Sequence, residues 1–175
     1  YRSIHPGRPV LPDVLEESLR NLVLNYYQDP GHAENVRRLA LMLFDQLSEL
    51  HQVPESYKRA LGAAAMLHDI GQMVDYEDHE THGFYLVLNS RLYGLTHREQ
   101  IMAAYLVAMH RTKDFKQDLK NYEVLLLPED EGNLKKLSVL LKMAEKMDRN
   151  EYGHITSVSC FITGETIEMI LNSEH

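Results

Sequence analysis

Ala63-Ala64-Ala65-Met66-Leu67-His68-Asp69-Ile70-Gly71 is the stretch that decides the reading of this chain. A run of small and apolar residues leads into an adjacent histidine and aspartate. Gly71 then stops the run, so the pair is expected in the last turn of a helix. A carboxylate is disfavoured there. Helix C-termini carry partial negative charge, and an acid at that end costs about a few tenths of a kcal/mol. A bound cation reverses the sign, because histidine and aspartate side by side can both reach one divalent metal. The competing reading has His68 capping carbonyls and Asp69 making a local hydrogen bond. Further candidates in helical context (His32, His79, His82, His110 and Asp148) turn the balance toward metal.

Working outward, the pattern is almost entirely helical. Asp13 with Glu16 resembles a capping box, and Leu15, Leu19, Leu22, Val23 and Tyr26 follow at helical spacing. Asp29-Pro30-Gly31 breaks that helix and opens the next at His32, whose stripe is Val36, Leu39, Ala40, Leu43, Leu47 and Leu50. Pro54 suits the first turn of a third helix running to about Asp69. A short helix is expected around residues 81–88. Thr96 and Glu99 form a capping box before Ile101 to His110, and a last helix spans about 134–149. Residues 155–163 and 166–172 are β-branched and partly alternating around Gly164, the pattern of a hairpin. The expected fold is mainly α, a helical bundle over residues 1–153 with a short C-terminal β-hairpin segment over 154–175.

Composition narrows the function classes. The chain has 175 residues, 18 basic against 26 acidic, for a net charge of −8. That argues against binding duplex nucleic acid or a membrane surface, though not against a local phosphate site. The single cysteine, Cys160, permits no internal disulfide and fits a reducing, cytoplasmic setting. No apolar run reaches spanning length. The chain begins at Tyr1 and ends inside a strand-like region, as expected of a piece of a longer protein.

His32 is expected at a helix start, His68 and Asp69 at a helix end, and Asp148 near a later helix end. Side chains at such places project past the helix and can converge on an ion. Imidazole plus carboxylate suits magnesium, manganese, iron, zinc, cobalt or nickel, and the sequence does not choose among them. Such a cluster can activate water or clamp a phosphoryl oxygen. His79, His82 and His110 are candidates for a second metal or for orienting phosphate. Arg111 can clamp phosphate through its planar fork. The basic pairs Arg37-Arg38, Lys58-Arg59 and Lys135-Lys136 offer a polyphosphate track, against a plainer reading as solvated helix faces.

A histidine, then His-Asp, then a distant aspartate on a helical chain resembles the HD-domain metal phosphohydrolase superfamily. Ala65-Met66-Leu67-His68-Asp69-Ile70-Gly71, His79-x-x-His82-x-x-Tyr85, Asn89-Ser90, Gly94, Arg98-Glu99 and His110-Arg111 are similar to the C-terminal HD domain of the exopolyphosphatase/guanosine pentaphosphate phosphatase family. The resemblance covers roughly residues 32–149. It implies a divalent metal held by His32, His68, Asp69 and a last acid, with His68 and Asp69 as the catalytic pair. It also implies a phosphate-containing small molecule or polyphosphate as partner, and homodimer formation in some members. In that family an actin-like module carries the polyphosphate or pppGpp hydrolysis, and its motifs are absent from these residues. This chain alone is therefore expected to have little exopolyphosphatase activity. A binding or dimerisation module serving that separate domain is the alternative function. One departure stands out. Many HD domains have Ala-Asp on the final helix, where this chain has Ala144-Glu145, with Asp148 one turn later. Either acid could be the last ligand.

Overall fold

In the computed structural model, residues 13–26, 30–111, 119–149 and 155–173 are described. The expected lead-in over 1–12, Asp29 and the boundary at residue 153 lie outside them. Seven α-helices occur among the described residues: α1 (Val14–Asn25), α2 (Pro30–Gln46), α3 (Ser48–His51), α4 (Lys58–Leu67), α5 (His79–Asn89), α6 (His97–Met109) and α7 (Asp130–Met147). Short 3-10 turns cover Glu55–Tyr57, Ile70–Met73 and Leu119–Tyr122, and strands β1 (Ile155–Thr163) and β2 (Thr166–Ser173) follow.

Two helices are buried on every side beyond their first turns. Every residue of α4 from Ala60 to Leu67 is buried, as is every residue of α6 from Ile101 to Ala108. A helix that is apolar all round belongs in an interior. The alanines of α4 and α6 let neighbouring helices close in. Around them α2 packs on α4 and α7, and α6 packs on α4, α5 and α7. Leu39, Leu43, Leu61, Met102, Leu106, Leu137 and Leu141 are among the fully buried side chains where these helices meet. Burying each large aliphatic contributes roughly 1.5–3 kcal/mol.

The local signals are met unevenly. Thr96 and Glu99 make the full reciprocal capping box of α6. At α1 only half the box forms. Asp13 accepts from the Leu15 and Glu16 amides, but the Glu16 carboxylate turns to Arg37. α2 opens at Pro30 rather than at His32, with proline in the first turn where its missing N–H costs nothing. The third helix is shorter than expected. Pro54 precedes a 3-10 turn, and α4 ends at Leu67 with His68 as its cap. Gly71 does not stop that helix. It lies inside the following 3-10 turn, where a Cβ would come within 1.8 Å of the His79 carbonyl oxygen and 2.5 Å of the Gly83 nitrogen. Glycine is needed there because the turn is pressed against the backbone of α5.

The hairpin is antiparallel, with Thr163 opposite Thr166 across Gly164-Glu165. Gly164 takes a positive φ of 60° at the first loop position, as a II′-type connection requires. Arg38 of α2 donates to the Thr156 and Ile155 carbonyls and ties β1 to the bundle. Cys160 is half-buried on β1, and burial pushes its thiol pKa up. No described helix is long and apolar enough to cross a membrane.

The start of α7 is fixed by a buried carboxylate. Asp130 accepts from Arg98, from the Tyr57 hydroxyl and from the Leu127 amide. Burial raises its pKa, but these donors more than offset it and hold the carboxyl below its ordinary value. A depressed carboxylate contributes stability above its unfolded pKa near 3.8, and loses it as pH falls through the folded value. Asp130→Asn is therefore expected to cost about 2–3 kcal/mol at neutral pH, with the difference from wild type shrinking below pH ~3.8. Urea unfolding of both proteins across that range measures it.

Candidate metal centre

Four histidines converge from four elements on one aspartate. His32 comes from the first turn of α2, His68 caps α4, His79 begins α5 and His110 caps α6. Asp69 follows His68 at φ −96° and ψ 4°, between the helix and the 3-10 turn. Its two carboxylate oxygens face opposite ways. Oδ2 lies 3.4 Å from His68 Nε2 and 3.9 Å from His32 Nε2. Oδ1 lies 3.2 Å from His79 Nε2 and 3.8 Å from His110 Nε2. The result is two trios, His32/His68/Asp69 and Asp69/His79/His110, each with ligand atoms within 4.8 Å of one another. The side chains of His68, His79 and His110 are 1% exposed or less, while Asp69 at 25% reaches solvent.

The far side of each ring shows what these trios suit. His68 Nδ1 lies 2.8 Å from the Ala65 carbonyl, His79 Nδ1 2.9 Å from that of Tyr76, and His110 Nδ1 faces that of Val107. A carbonyl only accepts, so each Nδ1 carries the proton. His32 Nδ1 donates likewise to the Asp148 carboxylate, 2.9 Å away. Each neutral ring then presents a bare Nε2 lone pair. Yet His32 and His68 bring Nε2 to Nε2 at 3.2 Å, and His79 and His110 do the same at 3.2 Å. Two lone pairs at that distance repel unless a proton or a metal ion lies with them. Each trio is thus short of one positive charge, and the donor set fits a divalent ion.

Charge states follow from the same geometry. Burial raises the Asp69 pKa, but the His79, His68 and His110 rings gathered around it override this and hold Asp69 well below the usual carboxylate range. His110 is pushed down to about 3, by burial first and then by His68. Burial lowers His79, but its bonds to Asp69 and the Tyr76 carbonyl outweigh this and raise it. Burial, and then the charge of Asp69, raises Glu145.

The remaining candidates divide. Asp148 is buried but stands behind His32, on Nδ1, and belongs to neither trio. Glu145 is half-buried within electrostatic reach of His68, Asp69 and His32, also outside both trios. Neither acid lies on an open helix face. Arg111 lies beside the second trio. Its Nη1 is 3.4 Å from His79 Nδ1, and its guanidinium stacks 5.6 Å from the centre of the exposed Tyr76 ring. His82 is half-buried and joins neither group. The basic pairs form no track. Arg37 meets Glu16, Arg38 holds β1, Lys58 meets Asp45, Arg59 meets Glu99, Lys135 meets Glu131, and Lys136 donates to the His51 carbonyl.

A helical bundle gathering a histidine, a His-Asp pair and later histidines at its centre is consistent with the HD superfamily. Residues 14–175 match the family model for Ppx/GppA phosphatase, domain III. The chain belongs to the Ppx/GppA phosphatase family. It is 34% identical over 96 residues to a guanosine-5'-triphosphate,3'-diphosphate pyrophosphatase of Pseudoalteromonas atlantica, covering 54% of this chain and 19% of that protein. It is 30% identical over 100 residues to the protein of the same name from Aeromonas hydrophila, covering 57% of this chain and 20% of that one. The aligned region spans about a fifth of those relatives.

The Gly71 contact makes the second trio sensitive to a single methyl group. Gly71→Ala must move the start of α5, and His79 with it. The expected loss is about 3 kcal/mol by thermal or urea unfolding. A loss below ~0.5 kcal/mol would show that the turn and α5 are not locked together.

Proposed function

We propose that this chain is a divalent-metal domain of a phosphohydrolase, binding the phosphate of a phosphoester or phosphoanhydride. One observation carries the reading: two His/His/Asp trios share Asp69, with all four Nε2 lone pairs turned inward and all four Nδ1 protons committed elsewhere. His32, His68 and Asp69 would hold one ion, and Asp69, His79 and His110 a second. A divalent ion held there supplies Lewis acidity toward a phosphoryl oxygen. The chain's own residues do the rest. The carbonyls and Asp148 fix the imidazole tautomers. The buried rings keep water from all but the Asp69 side. Arg111, beside His79, offers a cation to a phosphate oxygen, and its local charge acts where distant surface acids are screened beyond about 8–10 Å. Acting on polyphosphate or a guanosine polyphosphate is the reading for the whole protein, supported by family membership and by the names of the relatives.

Metal content tests the first part. Wild type is expected to retain ions that the double variant His68→Ala/Asp69→Ala lacks, with occupancy falling in acid, because the ligands must be deprotonated. Equal metal in both proteins removes the reading. Anion binding tests the second part. With metal present, Arg111→Ala is expected to weaken pyrophosphate binding by about 1.5 kcal/mol in titration calorimetry, and Arg111→Lys to recover only part of it. Equal affinity in wild type and Arg111→Ala would leave the arginine a surface residue.

A further inference from the structure

The two trios look alike in donor atoms but differ in what stands behind them. Three of the four histidines give their Nδ1 proton to a neutral backbone carbonyl. His32 gives its proton to the carboxylate of Asp148, whose side chain is 3% exposed. An anionic acceptor pulls harder on that proton and makes the opposite nitrogen a better donor to a cation. Among the described residues, neither ring of the second trio gives its Nδ1 proton to a carboxylate. Behind His79 stand Arg111 Nη1 at 3.4 Å and Glu80 Oε2 at 4.0 Å, opposite charges that largely offset each other. Behind His110, among the described residues, is the Val107 carbonyl. Asp69 is common to both trios, with Oδ2 toward His68 and Oδ1 toward His79.

Building on the metal reading above, we propose that the two halves of the centre bind divalent ions unequally: the His32/His68 half fills first and holds its ion more tightly, with Asp148 as the positioning residue that sets the difference. The His79/His110 half fills second. It is the half beside Arg111, where a bound anion brings the negative charge that the protein does not supply. The centre thus has a resident ion and an exchangeable one.

Cobalt(II) titration of the whole chain, followed by visible absorption and by calorimetry, provides the test. Wild type is expected to show two steps with dissociation constants at least tenfold apart. Asp148→Asn leaves His32 a neutral acceptor like those of the other three rings. It is expected to weaken the first step at least tenfold, to change the second less than threefold, and so to bring the two together. His110→Ala should remove the weak step and leave the tight one, which keeps the assignment testable if Asp148→Asn folds poorly. Arg111→Gln, at the surface, should strengthen the second step severalfold and leave the first alone. Two steps of equal affinity, loss of the tight step in His110→Ala, or Asp148→Asn weakening the second step instead, would each overturn the inference while leaving a metal centre in place. A wild-type chain that takes up no cobalt would overturn the metal reading itself.

Discussion

Two interior helices end at the same point, and the rest of the molecule is arranged around that ending. Beyond their first turns α4 and α6 are buried on every side, so neither can rotate or slide without exposing core. Each is capped by a histidine, and the His68 and His110 rings lie 5.5 Å apart, nearly perpendicular. Burial therefore does more than stabilise the bundle. It aims two imidazoles at each other and leaves Asp69, the residue after one of them, as the shared carboxylate. α2 and α5 add His32 and His79 from the flanks. The apolar core and the polar centre share one geometric constraint, and a change that shifts either interior helix is felt at both.

That placement also bears on how an acidic chain would carry the proposed anion site. The net charge of −8 is spread over the surface, where water and salt screen it. The centre is built from neutral rings whose lone pairs point inward, one carboxylate and a neighbouring arginine. What an anion meets is the short-range set, and the overall charge says little about it. Membership of the Ppx/GppA phosphatase family is in keeping with such a site.

Much of this was legible in the residues. The hairpin, the capping box at Thr96 and the helical stripes follow from local patterns that tertiary contacts did not override. His68-Asp69 stood out because an acid at a helix end asks for a cation. Other features were hidden for physical reasons. Spacing puts Glu145 and Asp148 one turn apart at the end of α7, but does not say on which side of His32 they lie; Asp148 meets His32 at Nδ1, the nitrogen turned away from the trio. Gly71 was read as a helix stop because glycine usually serves there; the contact that requires it comes from a backbone eight residues further on. His79 and His110 ranked low as isolated histidines. A signal was present for three of the rings: His68, His79 and His110 each bond the carbonyl three residues earlier, and two of them fall where an apolar helix stops.

The hairpin has a different character. β2 is exposed along its whole length, with Ile167, Met169, Ile170 and Leu171 all open to solvent, and among the described residues one of its edges has no strand beside it. Its hold on the bundle runs through β1: two carbonyls gripped by Arg38, the burial of Val158, and the Cys160 amide facing Gln46. In native-state hydrogen exchange such a segment opens by local fluctuation, while the amides of α4 and α6 wait for global unfolding. The chain therefore has two tiers of protection. The rigid tier surrounds the histidines, and the loose tier carries an unpaired edge that another strand can extend.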